Sequence, residues 1–374
     1  MPAEVEVYRS GSLAHARNMC AEPIIWRDEP GAWARSLGIP QEAIEIYLAS
    51  DVIDLHLDSF IWTRIFGYDL KKRHGLGPLR GAFMSQCDIP RVLEAGITGA
   101  TWVISTNPFL PAGQRRKNFV KNYARLHGIL SEHPEIRIVR TLSEYKAARA
   151  EGKHGAFIGI QGGNALSKSI DDLDLIPELG VLRITLVHLL DSNLGKTSSP
   201  LSLPGARDRL TDFGRDYVRK LNERKIFVDL AHIGRQAFFD ALEVHDASQP
   251  ALVTHTGVDA VYPHWRNLTD EQLRAIADTG GAIGVMYERS FLAKRGATVA
   301  TVADHLMHIV KTVGIDYAML GSDWDGAIIP PPDLATPHML PRLVYELMQR
   351  GLRAEEIHKI FGKNFLRVLG ELRL

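Results

Sequence analysis

The chain has 374 residues, 45% of them hydrophobic and 24% charged, an ordinary globular composition with enough material for one large barrel or two smaller domains. Its 44 basic and 44 acidic side chains cancel, and no polybasic stripe offers a surface for nucleic acid or an anionic membrane. Cys20 and Cys87 form no C-x-x-C pair, no apolar stretch reaches the roughly 18 residues that span a bilayer, and the start Met1–Val7 lacks a basic segment followed by an apolar run.

Those exclusions predict a cytoplasmic protein without a signal peptide, acting on a small, nearly neutral molecule. Residues 1 to about 50 read as a helical extension packed on the remainder of the chain, with a helix starting around Pro40-Gln41-Glu42. From residue 51 to 374 a rhythm of short Val- and Ile-rich runs sets in. The runs cover 52–58, 100–107, 155–161, 181–188, 226–232, 251–255, 281–287 and 317–323. Helix-like segments separate them, among them 269–278 with its Thr269-x-x-Gln272 capping signature. Buried strands alternating with helices indicate a parallel sheet, and eight strands close a TIM-type (β/α)8 barrel. An open doubly wound sheet is the rival, disfavoured by the absence of a G-x-G-x-x-G turn.

Sites on such barrels lie where the strands end. Here the runs end on His56 and Asp58, Gln161, His188, His232, His255 and Asp323, which places four of the 15 histidines at strand ends. His56 and Asp58, two apart on a strand, share a face and suit zinc. His232 and His255 end consecutive runs, about 4.8 Å apart if adjacent, and can share an ion. Asp323 can ligate metal and accept a proton from water, with Asp325 as its rival. His188 can ligate metal or polarise a substrate carbonyl. Arg266, on the loop after the sixth run, can clamp a carboxylate. His305 and His308 read as the solvated face of an outer helix.

The motifs Asp54-Leu-His-Leu-Asp58, Arg183-Ile-Thr-Leu-Val-His188, Asp229-Leu-Ala-His232, Thr254-His255-Thr, Arg266-Asn-Leu-Thr-Asp270, Gly280-Gly-Ala-Ile-Gly-Val285, Gly321-Ser-Asp-Trp-Asp-Gly326 and Gly362-Lys-Asn-Phe-Leu-Arg-Val368 resemble, in order and spacing, those of the renal (membrane) dipeptidases of the metal-dependent amidohydrolase superfamily. The resemblance runs from about residue 50 to the end. It implies a homodimeric hydrolase that cleaves dipeptides, often with a D- or dehydro-residue in second place, using two zinc ions bridged by water and a carboxylate. It implies that His56, Asp58 and Asp323 serve the first ion, with Asp323 also handling the proton. By the same resemblance His232 and His255 serve the second, His188 contacts the scissile group, and Arg266 holds the substrate carboxylate. At the bridging position, where the family carries Glu, this chain has Gln161. An amide offers one good acceptor oxygen and no charge. The expectation is therefore at most one tightly held metal, near His56, Asp58 and Asp323. Gln161 also opens two other readings: a one-metal amidohydrolase acting on another C–N bond, and a barrel that only binds a small acid.

Overall fold

A computed structural model describes residues 26–374 except 78 and 206, so Cys20 and the first part of the expected extension lie outside the described residues. Its parallel strands are β1 (Ile53–Leu57), β2 (Gly99–Ser105), β3 (Ile136–Ile138), β4 (His154–Gln161), β5 (Arg183–Thr185), β6 (Phe227–Asp229), β7 (Leu252–Thr256), β8 (Ala282–Val285) and β9 (Ala318–Leu320). Hydrogen bonding runs β1-β2-β4-β5-β6-β7-β8-β9, which is the expected barrel path. Each of the eight expected runs overlaps one of these strands. β3 was not expected: its three residues pair only with the first three residues of β4.

The barrel closes through residues just past β9 rather than through a regular ladder. Asp58 N donates to Trp324 O (3.0 Å) and Asp323 N donates to His56 O (3.1 Å). Register aligns the ends of four neighbouring strands, Ser105 with Gln161, Gln161 with Thr185, and Thr185 with Asp229. A polar row therefore crosses the C-terminal rim of the barrel.

Helices 30–37 and 41–49 belong to the same core. Trp33 and Tyr47 are fully buried, and their polar tips donate to His338 O (2.9 Å) and Ala95 O (2.8 Å). Pro40 is the N-cap of the second helix, which starts where expected. Thr269 and Gln272 form the expected reciprocal cap. The last helix, Asn364–Leu372, packs Phe365, Val368 and Leu369 against strand residues that include Ile53, Phe157 and Phe227. The expected solvated face on the outer helix is corrected in part. His305 is fully buried and ties two loops together, accepting from Val258 N (2.9 Å) and pairing with Leu292 O (3.0 Å). It does so because the rest of its face is apolar and buried. His308 reaches Asp270 at 2.8 Å.

Tight approach of backbones at the rim fixes one glycine. A Cβ at Gly321 would lie 1.8 Å from Thr254 O. Gly321→Ala is expected to lower unfolding free energy by at least about 2 kcal/mol, through overpacking that a backbone carbonyl cannot relieve. Gly128, in helix 112–131 with open space around it, is the control. Gly128→Ala should stabilise by about 0.5–1 kcal/mol. Urea denaturation of both variants decides this, and similar midpoints for the two would contradict it.

Candidate metal centre at the barrel mouth

The expected residues converge, although not all of them sit on strands. His56 and His255 lie within β1 and β7, and Gln161 ends β4. His188, His232 and Asp323 each lie three residues beyond a strand. His232 and Asp323 adopt left-handed backbone, with φ of 65° and 60°. Non-glycine residues take that conformation at a cost, and such strain concentrates where side chains must be aimed. Asp323 is aimed back over β1: its Oδ1 lies 3.5 Å from His56 Nε2. One ligand atom from each of His56, His255 and Asp323 falls within 4.8 Å of the others, and all three residues are buried.

The histidine rings form a continuous contact series. Centroids are 3.8 Å apart for His56 and His255, 4.9 Å for His232 and His255, and 4.6 Å for His188 and His232. Burial pushes His56, His232 and His255 well below the ordinary imidazole range, with neighbouring cations adding to the effect. Neutral imidazole is the form that ligates metal. Burial drives the carboxyl groups the other way: Asp58 is pushed up to about 7 and Asp323 well above its usual range. His56 Nε2 and Asp323 Oδ1 are buried without hydrogen-bond partners. Unpaired buried polar atoms are costly, and a cation between them would relieve both. The donor set therefore fits a divalent metal.

Beneath this layer is a polar network whose functional weight the sequence reading missed. Asp229 accepts from Arg183 Nη1 (3.1 Å), Thr185 Oγ1 (2.5 Å) and Thr254 Oγ1 (2.8 Å), and from the backbone N–H of Ala231 and Thr254. Arg183, fully buried, reaches across to His56 Nδ1 at 2.8 Å. Gly159 makes room for it, since a Cβ there would lie 3.0 Å from Arg183 Nε. Thr254 Oγ1 is also 2.9 Å from His255 Nδ1. Its single hydrogen goes to the carboxylate of Asp229, which cannot donate. His255 Nδ1–H must then donate to Thr254, leaving Nε2 bare and able to ligate. The signal for this network was in the sequence: Arg183 and Asp229 each interrupt an apolar run that ends in histidine.

Asp325 differs sharply from Asp323. It accepts from Ser59 Oγ (2.6 Å), Gln86 N (2.8 Å) and Cys87 N (3.2 Å), so its carboxylate is spent on holding the 85–87 loop. Arg266 is buried despite its loop position. Nη2 donates to His255 O (2.5 Å), and Nε has no partner. Burial lowers it to about 10, so it remains charged at neutral pH. His188 is lowered to about 3 by burial and by Arg266, and its Nδ1 is unpaired.

The chain belongs to the membrane dipeptidase family, peptidase family M19, whose sequence model matches residues 41–374. The match thus begins inside the expected extension and includes the helix at 41–49. Dipeptidase tcpJ of Claviceps purpurea is 34% identical over 223 residues, 59% of this chain and 52% of that protein. The chain thus spans about half the length of this curated relative. Among solved structures, dipeptidase AC, a metallo peptidase of family M19, superposes with a TM-score of 0.76 at 26% identity, covering 87% of this chain and 99% of that one. A metallo peptidase from Rhodobacter sphaeroides, liganded with a phosphinate mimic of the dipeptide L-Ala-D-Ala, gives 0.76 at 25% identity, covering 86% and 99%. The fold is shared with the probable dipeptidase PvdM of Pseudomonas aeruginosa, with a TM-score of 0.78 at 20% identity, covering 89% and 98%. No helix among the described residues is long and apolar enough to cross a membrane.

The two aspartates should separate in metal-free protein. Asp325→Ala strands two backbone donors and a hydroxyl, each worth roughly 1–3 kcal/mol when left unsatisfied. It should lower the denaturation midpoint of chelator-treated protein markedly. Asp323→Asn removes a buried charge without a partner at Oδ1 and should leave that midpoint unchanged or raised. Equal losses in both variants would contradict this division.

Proposed function

We propose that this chain is a zinc-dependent hydrolase that cleaves the amide bond of dipeptides, or of similar small amides carrying a free carboxylate. The observation that carries the reading is the convergence of His56, His255 and Asp323, with two unpaired buried ligand atoms, at the mouth of a family M19 barrel. Relatives described as dipeptidases, one of them bound to a dipeptide mimic, support the substrate class. The donor set is drawn from His56, Asp58, Gln161, His232, His255 and Asp323. A metal bound there polarises the scissile carbonyl and makes water nucleophilic near neutral pH.

The protein's own groups do the rest. Arg266 keeps its charge and a free Nε–H, and so can pair with the substrate's terminal carboxylate in a buried setting. That pairing fixes the amide's distance from the mouth. His188, held neutral, has one ring N–H to give to the carbonyl oxygen as charge builds there. Asp323 takes the proton from the attacking water and passes it to the leaving amine.

Two experiments test these roles. Asp323→Asn should reduce kcat on dipeptides by about 10²–10⁴-fold, the usual range for losing a general base. Retained activity there, with loss in Asp325→Asn, would reverse the assignment. Arg266→Ala should raise KM for free-acid dipeptides by about ten- to a hundredfold, the equivalent of a charge-assisted hydrogen bond of roughly 1.5–3 kcal/mol. The corresponding dipeptide amides should be little affected, and equal losses on acid and amide would remove Arg266 from the clamp.

A further inference from the structure

Hydrogen-bond arithmetic at Gln161 limits what the mouth can hold. Ser105 Oγ lies 2.5 and 2.7 Å from the two oxygens of Asp58 and 3.0 Å from Oε1 of Gln161. A serine has one hydrogen. An ionised Asp58 can only accept, so the hydrogen goes there and the serine oxygen is left facing Gln161. The amide satisfies that oxygen by turning its NH2 towards it, a reorientation of the O/N assignment that leaves heavy atoms in place. Its carbonyl oxygen then faces His232 Nε2, the group 3.2 Å from the far end of the amide. In this arrangement His232 gives its one Nε2 hydrogen to Gln161, and His255 Nε2, 2.8 Å away, stays bare. In the opposite orientation the amide NH2 donates to His232 Nε2 instead. In both, Gln161 occupies the very atom with which His232 would ligate.

Charge points the same way. Asp58 and Asp323 are the carboxylates at the mouth, and they balance one divalent cation. A second would leave two positive charges uncompensated next to the buried guanidinium of Arg266, which already acts on Asp323. Such an imbalance in a buried site is expensive.

We propose that the mouth holds one tightly bound divalent cation, on His56, His255 and Asp323, and that Gln161, oriented by Ser105, keeps His232 out of the ligand set as a hydrogen-bonded positioning residue. This differs from the division expected from the sequence, in which His255 served a separate ion with His232 and Asp58 joined His56 and Asp323. The proposal rests on the reading of this mouth as a metal centre.

The test is metal content, which needs no turnover. The full chain is stripped with chelator, reloaded with excess Zn²⁺, passed through a desalting column and analysed for zinc per protein. Unmodified protein should retain one equivalent. His232→Ala should still retain one, whereas Asp323→Ala and His56→Ala should retain none. Gln161→Glu, which adds a carboxylate to balance a second cation, should retain two, and Gln161→Glu combined with His232→Ala should fall back to one. Circular dichroism of each variant confirms the fold, so a lost equivalent is not mistaken for unfolding. Two equivalents on unmodified protein, or loss of the single one in His232→Ala, would overturn the proposal. Zinc absent from both unmodified protein and Gln161→Glu would overturn the metal-centre reading itself.

Discussion

The carboxylate of Asp229 is the interaction on which the mouth depends. It is fully buried at the end of β6 and collects donors from β5 and β7 on either side. Through Arg183 it reaches β1 on the far wall. One acid thereby sets the register of three adjacent strands and the rotamers of the histidines above them. A buried ion pair seldom stabilises a protein more than an apolar substitute would. What it supplies here is orientation. Arg183 holds the ring of His56 at Nδ1, and Thr254 holds that of His255 at Nδ1, where the bond leaves Nε2 of His255 bare.

Above that layer the structure tolerates costs that a purely structural rim would not keep. Two site residues have left-handed backbone, and several buried polar atoms lack partners. The neighbouring Asp325 shows what a structural carboxylate looks like in the same loop: every oxygen is used, and what it secures is backbone. The contrast between Asp323 and Asp325, two residues apart, separates a carboxylate left unpaired at the mouth from one spent on architecture.

Much of this was legible in the amino-acid sequence alone. A strand inside a barrel is covered on both faces, so each strand reads as a continuous apolar run, and the polar residue that stops the run marks the rim. That logic found His56, Gln161 and His255 directly. It found His232 and Asp323 too, although these lie beyond their strands, because the apolar run continues into the turn that carries them. It could not find β3, whose three residues at the sheet's edge carry too little pattern. It misjudged His305, since a histidine inside an apolar helix face looks the same whether it is solvated or tied to two loops. Ser105 was passed over because a small hydroxyl at a strand end carries no chemical signature alone. Its meaning comes from register, which sets it beside Gln161.

The seam between β9 and β1 has a consequence for how the protein is made. The bonds that close the barrel there come from the backbone of Asp323 and Asp58 and the carbonyls of His56 and Trp324. These residues sit near opposite ends of the chain, so the seam has a very long sequence separation, and contacts of that kind form late. During synthesis the first seven strands of the barrel path can be complete while the mouth still lacks Asp323. A nascent or truncated chain therefore lacks one of the three proposed ligands and has an unpaired strand edge at the same time. Capturing the cation and ending the risk of edge-to-edge aggregation become a single late event, and metal supply can act as a folding aid for the newly made chain.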